Sequence, residues 1–184
     1  MLQRFYPDKY ISSTYCIDFD RLYEQGYRGI IFDIDNTLVE HGAPADERSI
    51  ALFQHLHALG YQTLLLSNNK EPRVKMFHDD VHAPYIFKAG KPGKNGYLEA
   101  MQKMGTSVGN TLFVGDQLFT DVWGARRVGI YSILVQPIAK HEEIQIVLKR
   151  YLEKIVLASY RKDCEKRGQR FLYHGGEDEH EWTY

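Results

Sequence analysis

The sequence predicts an α/β fold in which helices cover a central parallel sheet. Short apolar runs alternate with longer segments of helical periodicity, which is the pattern of repeated βαβ units. The last of these runs, residues 130–135, is apolar nearly throughout, as expected of a strand that is covered on both faces. A chain of 184 residues has the size of a single domain, so we treat it as one domain.

The core of this fold is expected over residues 28–136. Its first strand is predicted at residues 29–34, and apolar residues at helical spacing, closed by a glycine, predict a helix over 46–60. Residues 1–27 form an N-terminal extension, and residues 137–184 form a C-terminal helical segment and tail. The other predicted elements are strands at 61–66, 85–87, 111–114 and 130–135 and helices at 18–25, 72–77, 93–104 and 120–128.

The composition excludes several classes of protein. A formal net charge of -1 gives no global attraction to nucleic acid, so we expect no DNA partner. Charged residues near the start stand where a signal peptide has an apolar core, and no apolar run approaches the roughly 20 residues of a membrane span. Cys16 and Cys164 do not form a disulfide framework. We therefore expect a cytoplasmic protein.

Polar side chains follow four of the predicted strands, at the edge where open α/β sheets bind ligands. Asp33 and Asp35 end the first strand, and residues two apart in a strand point to the same side, so both carboxylates can face one site. A divalent cation that prefers oxygen ligands would offset their repulsion. The alternative is structural, because aspartates also cap helices and begin turns.

The other three clusters have the same two interpretations. Ser67 and Asn68 follow the second strand and either form a turn or bind a phosphate oxygen. Lys91 precedes a proline in a loop and is either solvated or neutralises a phosphoryl group. Asp116 and Asp121 follow a later strand and either cap a helix or join the site. Four such clusters at one edge indicate a site far more strongly than any one of them alone.

In this order the clusters resemble the four motifs of the haloacid dehalogenase (HAD) superfamily. The motifs are Asp33-x-Asp35-x-Thr37, Ser67, Lys91-Pro92 and Gly115-Asp116-x4-Asp121. More narrowly, FDIDNTLV, LLSNN, KAGKP and VGDQLFTDVWGARRVG are similar to the class IIIA, YqeG-type bacterial phosphatases, a group related to mitochondrial phosphatidylglycerophosphate phosphatase. The resemblance covers about residues 28–136 and implies a HAD-like Rossmannoid fold of three layers.

The resemblance implies a Mg²⁺-dependent phosphomonoesterase. Asp33 would be the nucleophile that forms an aspartyl phosphate, and Asp35 would act first as general acid and then as general base. Mg²⁺ would be held by the carboxylate of Asp33, the main-chain carbonyl of Asp35 and the carboxylate of Asp116.

The resemblance also implies the residues that surround the phosphoryl group. A lysine would neutralise its charge, and Lys88, Lys91 and Lys94 all lie in the loop of the third motif. Lys91 is preferred because it alone precedes a proline, as in the motif, while the other two remain alternatives. The further residues implied are Ser67 and Asn68 for binding the phosphoryl group and Thr37 and Asp121 for supporting the site from behind.

The spacing of the motifs leaves no room for a cap domain. Thr37 and Ser67 are 30 positions apart and Ser67 and Lys91 are 24 apart, and a helix with a short connection fills each interval. An uncapped site is exposed unless the terminal extensions or the second subunit of a homo-oligomer cover it. Open sites in this superfamily often act on macromolecular or amphiphilic phosphates, which is what the resemblance implies here.

The C-terminal segment carries a local charge asymmetry and an apolar stripe. Residues 140–170 hold nine Lys and Arg against five Asp and Glu, a net charge of +4, and the acidic tail after them has a net charge of -4. One interpretation is a last helix that packs on the sheet. The other is an interfacial helix that contacts an anionic membrane. The stripe consists of Ile144, Val147, Leu148, Tyr151, Leu152, Ile155 and Val156.

Three functions remain open from the sequence. The first is hydrolysis of a phospholipid phosphate, such as phosphatidylglycerophosphate, by a protein peripheral to the inner face of the membrane. The second, in the same reaction class, is hydrolysis of a small soluble metabolite such as a sugar or nucleotide phosphate. The third is a non-catalytic HAD scaffold that binds protein or RNA through its basic segment.

Overall fold

Six parallel strands form the centre of the fold. The structure is a computed structural model, and it describes residues 2–139 and 144–174. The strands are β1 (Lys9–Ile11), β2 (Gly29–Phe32), β3 (Gln62–Leu66), β4 (Tyr85–Ile86), β5 (Thr111–Gly115) and β6 (Tyr131–Val135). The helices are α1 (Phe19–Glu24), α2 (Glu47–Leu59), α3 (Glu71–Val81), α4 (Asn95–Met104), α5 (Trp123–Val128) and α6 (Ile144–Lys166).

The sheet has the strand order β1-β6-β5-β2-β3-β4, with β2 near its centre. Gly29 of β2 is paired with Gln62 of β3 on one side and with Thr111 of β5 on the other. The chain leaves β2 toward one edge of the sheet and later returns on the opposite side. This reversal opens a crevice at the carboxyl ends of β2, β3 and β5, the usual place for a ligand in such sheets.

Helices cover both faces of the sheet, which confirms the three-layer fold. Side chains alternate along β2, so Ile30 and Phe32 pack into one core while Ile31 packs into the other. The first core is completed by apolar residues of α1, α2 and α3, and the second by residues of α4 and α5. Burial on both faces explains why the strands are continuous apolar runs.

A single helix fills each interval in which HAD enzymes insert a cap. Between β2 and β3 the chain forms α2, which begins after the capping residue Asp46 and ends at Gly60 in the left-handed conformation, as predicted. Between β3 and Lys91 it forms α3 and the two residues of β4. All of these residues are described, and they include no inserted domain.

The N-terminal extension contributes a strand that the sequence analysis did not predict. Residues Lys9–Ile11 pair in parallel with β6, with Lys9 opposite Ile133. The one short helix predicted in this region, at 18–25, is present as α1. A strand of three residues is too short to show an alternating pattern, and only its pairing with β6 identifies it.

Two helices differ from their predicted bounds by more than two residues. The helix predicted at 72–77 extends to Val81, because Val74, Phe77 and Val81 are all buried on one face while the polar residues after Phe77 lie on the other. The helix predicted at 120–128 begins instead with a π-helical turn over Leu118–Val122, which continues into α5. Such turns often occur at functional sites, and this one contains Asp121.

The apolar stripe of the C-terminal segment is divided between the core and the surface. Val156 of α6 is buried with Tyr6 and Leu134, whereas Tyr151, Leu152 and Ile155 are 62%, 53% and 60% exposed. The remaining residues of the stripe, Ile144, Val147 and Leu148, lie outside the described side chains. So do several charged residues of the C-terminal segment and tail, which are Lys140, Glu142, Glu143, Glu177, Asp178, Glu179 and Glu181. Within the described residues, no helix has the length and apolarity required to cross a bilayer.

Replacing Gly124 of α5 with alanine is expected to destabilise the fold. The added Cβ would lie 2.2 Å from the hydroxyl oxygen of Tyr97, which is fully buried and donates to Thr120 O at 2.9 Å. Although alanine favours helices, we expect this overlap to lower the free energy of unfolding by about 1–3 kcal/mol in urea denaturation. Gly109→Ala is the control, because its Cβ would have no neighbour within 4 Å. Equal stability of the two variants would contradict the packing described.

Candidate active site

Three strands end in buried polar residues at the crevice. Asp33 directly follows β2, Ser67 follows β3 and Asp116 follows β5. Sheet-like backbone hydrogen bonds continue past the strand ends, since Asp33 N donates to Val114 O at 2.9 Å and Ser67 N donates to Ile86 O at 3.0 Å. The sheet therefore fixes the point from which each of these side chains extends.

Lys91 lies buried between two carboxylates. Its ammonium nitrogen Nζ is 2.6 Å from Asp33 Oδ1 and 2.8 Å from Asp121 Oδ1, and its side chain is 3% exposed. Asn68 fixes the loop, because its Oδ1 accepts from Lys91 N at 2.8 Å and its Nδ2 donates to Lys91 O at 3.1 Å. The other two lysines of this loop are exposed. Of the three candidates, Lys91 is the one that contacts Asp33.

Asp116 is restrained by one residue that precedes it and one that follows it in the sequence. Thr37 Oγ1 donates to Asp116 Oδ1 at 3.2 Å. Arg150 of α6 donates from Nη1 to Asp116 O at 2.6 Å and from Nη2 to Asp116 Oδ2. Both carboxylate oxygens and the main-chain carbonyl of this aspartate are therefore hydrogen-bonded.

Three buried carboxylates form a cluster that fits a divalent cation. One oxygen each from Asp33, Asp116 and Asp121 lies within 4.8 Å of the others. Carboxylate oxygens are the ligands that Mg²⁺ prefers, and close carboxylates repel each other in the absence of a cation. The side chain of Asp35 is not part of this cluster. Its predicted contribution to a metal site was the main-chain carbonyl, and that role remains a prediction.

The carboxylate of Asp35 has a separate set of partners. Arg73 donates to Asp35 Oδ1 from Nε at 3.1 Å and from Nη2 at 2.9 Å. Asn69 Nδ2 donates to Asp35 Oδ2 at 2.6 Å, and Gly42 N donates to Oδ1 at 2.8 Å. These contacts hold Asp35 in one orientation beside the same cavity as Asp33.

Asn69, Arg73 and Arg150 contact the site but were not among the predicted site residues. Asn69 lies inside the segment LLSNN, and Arg73 lies one helical turn later on α3, so a basic residue shortly after this motif was a usable signal. Arg150 gives no such signal. It lies 34 positions after Asp116, in a segment whose only visible features are an apolar stripe and a basic charge.

The site opens into a cavity of about 260 Å³. The phosphate-binding residues predicted from the sequence, Ser67, Asn68 and Lys91, all line it. Two further basic side chains, His41 and Lys149, also contribute to its wall. The complete lining is Asp33, Asp35, His41, Ser67, Asn68, Asn69, Lys91, Gln117, Thr120 and Lys149.

Burial shifts the ionisation of this site. It raises the pKa of Asp33 to about 7, with Lys91 acting in the opposite direction. Burial likewise raises the pKa of Asp116, against the effect of Arg150. For Lys91, burial favours the neutral amine, but Asp121 and Asp33 outweigh it and raise the pKa of Lys91. The lysine therefore stays charged. A further positive charge nearby would favour ionisation of the carboxylates.

Ionisation of Asp33 is expected to destabilise the metal-free fold. Its pKa of about 7 exceeds the ordinary value of 3.8, so between about pH 4 and pH 7 the folded protein binds more protons than the unfolded chain. The free energy of unfolding contributed by Asp33 therefore falls as pH rises through this range and is constant above it. Asp33→Asn cannot ionise and should show a smaller slope in urea unfolding measured with EDTA.

The control for this measurement is Asp80→Asn, which changes an exposed aspartate on α3. It is expected to keep the pH dependence of the wild type. A slope in Asp33→Asn equal to that of the wild type would show that another group is responsible.

Known proteins are similar to this chain in sequence and in fold. Residues 40–129 match the model of the haloacid dehalogenase-like hydrolases. The probable phosphatase YqeG of Bacillus subtilis is 35% identical over 164 residues, which is 88% of this chain and 95% of that protein. Phosphatidylglycerophosphate phosphatase 1 of Arabidopsis thaliana, chloroplastic and mitochondrial, is 28% identical over 167 residues, covering 75% of this chain and 45% of that protein.

A solved structure supports the same fold. The cobalt-bound deoxy-D-mannose-octulosonate 8-phosphate phosphatase of Haemophilus influenzae superposes with a TM-score of 0.51 and 14% identity, over 73% of this chain and 89% of that one. The resemblance inferred from the motifs is confirmed by the similarity to YqeG and the match to the family model. With its three-layer fold and its similarity to YqeG over most of its length, the chain belongs to the haloacid dehalogenase-like hydrolases and is a phosphatase of that family.

Proposed function

We propose that this phosphatase hydrolyses phosphomonoesters with Mg²⁺, through an aspartyl phosphate formed on Asp33. The observation that carries the proposal is a carboxylate that lines the cavity, accepts from Lys91 at 2.6 Å and lies beside the carboxylates of Asp116 and Asp121. A nucleophile, a cation for the phosphoryl group and a candidate metal site thus lie together. Similarity to YqeG over 88% of the chain supports the same reaction class.

In the first step, an oxygen of Asp33 would form a bond to phosphorus while the bond from phosphorus to the ester oxygen breaks. The leaving alkoxide would take a proton from Asp35, which lines the same cavity. Lys91, Ser67 and Asn68 would bind the phosphoryl oxygens, which orders the reactants and offsets their negative charge.

Mg²⁺ bound by the carboxylates of Asp33 and Asp116 and the main-chain carbonyl of Asp35 would supply positive charge to the phosphoryl group. Thr37 would support Asp116 through its hydrogen bond of 3.2 Å. Asp121, 2.8 Å from Lys91, would hold that lysine in position.

In the second step, Asp35 would take a proton from water as the water oxygen attacks phosphorus and Asp33 is released. Asp35 therefore has to face the reacting groups in both steps. Arg73 and Asn69 donate to its two oxygens, which supports a fixed position for Asp35 beside the cavity.

Asp33→Asn is expected to lower Mg²⁺-dependent hydrolysis of p-nitrophenyl phosphate by about a thousandfold or more, because the amide cannot act as the nucleophile. Release of nitrophenol is measured with Mg²⁺ and with EDTA. Asp80→Asn, exposed on α3, is the matched control and should keep the wild-type rate. Equal rates for Asp33→Asn and wild type would contradict the proposal.

We further propose that the substrate is a phospholipid phosphate such as phosphatidylglycerophosphate. The described chain forms no cap over the site, so the cavity is accessible to a headgroup at a lipid surface. The name of the Arabidopsis relative, whose matched part is 45% of its length, supports this substrate class. The protein would then work in the cytoplasm, peripheral to the inner face of the membrane.

The α6 apolar surface, formed by Tyr151, Leu152 and Ile155, supports this location. All three side chains are more than half exposed, and Lys149, only two positions before Tyr151, lines the cavity. Lys154 is exposed beside them, with its ammonium 5.1 Å from the Tyr151 ring centroid. Apolar side chains flanked by lysines are typical of surfaces that bind anionic lipid.

Replacing both Leu152 and Ile155 with serine is expected to weaken binding to anionic vesicles about tenfold, because each serine removes an apolar side chain from the lipid contact. Vesicle sedimentation and phosphate release from phosphatidylglycerophosphate in vesicles both report this loss, while hydrolysis of p-nitrophenyl phosphate should not change. Leu98→Ser, which alters a leucine of α4 that is 49% exposed, is the control.

Each alternative function predicts a different outcome. Faster hydrolysis of sugar or nucleotide phosphates than of the lipid would identify a soluble metabolite as the substrate. Absence of Mg²⁺-dependent turnover over a broad panel of esters, with a protein or RNA that co-purifies, would identify a non-catalytic scaffold.

A further inference from the structure

We infer that Arg150 is a positioning residue of the metal site, so that the C-terminal helix α6 forms part of the catalytic unit. The inference rests on the proposed function, because it concerns the cation that Asp116 is proposed to bind. Arg150 lies beyond residues 28–136, which contain the four motifs, and beyond the matched residues 40–129. Its role therefore depends on its contacts alone.

Arg150 contacts Asp116 through two nitrogens of its guanidinium group. Nη1 donates to the main-chain carbonyl of Asp116 at 2.6 Å, and Nη2 donates to the carboxylate oxygen Oδ2. The Arg150 side chain is 17% exposed and that of Asp116 is 1% exposed. A planar guanidinium can satisfy both acceptors at once, which the single ammonium of a lysine does less well.

Arg150 is itself held in place by a second buried acid. Its Nη1 also donates to Glu153 Oε2 at 2.8 Å, three residues further along α6. The other oxygen of Glu153 accepts from Leu118 N at 2.7 Å, at the start of the π-helical turn that contains Asp121. Glu153 is 4% exposed, so this chain of contacts lies inside the protein.

These contacts leave the Asp116 carboxylate with one orientation. Oδ2 is bound by Arg150, and Oδ1 accepts from Thr37 Oγ1 at 3.2 Å. A carboxylate that could rotate about its χ angles would present different oxygens to a cation. Fixing its orientation on binding would cost free energy and so lower the affinity for the cation. Residues that orient metal ligands in this way typically change metal affinity by 10- to 100-fold when they are removed.

The sign of the effect distinguishes positioning from simple charge. When all three are ionised, Asp33, Asp116 and Asp121 carry three negative charges, and Lys91 and Arg150 compensate two of them. If Arg150 acted only through its positive charge, its removal would strengthen binding of a dication at a pH high enough to keep Asp116 ionised. If it positions Asp116, its removal weakens binding, because the ligand loses its fixed orientation.

The experiment measures Mg²⁺ affinity without relying on turnover. The full chain, with wild-type residue, Arg150→Ala or Arg150→Lys, is titrated with MgCl₂, and the rise in Tm is fitted for the apparent Kd. We expect Arg150→Ala to raise this Kd about tenfold and Arg150→Lys to recover part of the loss. The Mg²⁺ concentration that half-activates hydrolysis of p-nitrophenyl phosphate should rise in the same order, with a smaller change in kcat at saturating Mg²⁺.

Arg161→Ala is the matched control on the same helix. Arg161 is exposed and pairs with Glu165 at 3.1 Å, so this variant should bind Mg²⁺ as the wild type does. Unchanged or tighter Mg²⁺ binding in folded Arg150→Ala would overturn the inference. If circular dichroism shows that Arg150→Ala does not fold, Arg150→Lys decides: wild-type Kd overturns the inference and a raised Kd supports it. Absence of Mg²⁺ binding in the wild type would instead overturn the proposed function.

Discussion

The ammonium of Lys91, buried between Asp33 and Asp121, is the interaction on which the site depends. Removing an ion from water costs several kcal/mol, and mutual attraction offsets that cost only when the geometry is good and further hydrogen bonds are made. The loop geometry meets this condition, because Asn68 binds the main-chain N–H and C=O of Lys91. Without this cation, two buried carboxylates would repel each other within the apolar interior of the sheet.

The sheet determines where such charges can be placed. Both faces of β2 are covered by apolar cores, so polar groups are accommodated where the strands end and the backbone turns away. Asp33, Ser67 and Asp116 occupy these ends on three adjacent strands. The strand order thus brings residues that are far apart in the sequence together in one polar site. Helix α6 adds Arg150 to the same site from beyond the last strand.

The sequence predicted the parts of this arrangement that local pattern controls. The strand preceding Asp33 and the helix after it were recognisable, because periodicity and capping residues are encoded within a few positions. The contact of Arg150 with Asp116 was not, since it joins residues 34 positions apart with no shared pattern. The apolar stripe of α6 was visible in the sequence, but its division between core and surface depends on which face meets Tyr6 and Leu134.

The two ends of the described chain meet beside β1. Tyr173 N donates to Tyr10 O at 2.9 Å, and Ser12 N donates to Tyr173 O at 2.8 Å, so a segment after α6 covers the outer side of the edge strand. An uncovered edge strand offers unpaired N–H and C=O groups to other chains and promotes aggregation. Tyr173 therefore pairs with part of the outer edge of β1, which leaves fewer unpaired backbone groups there for another chain to contact.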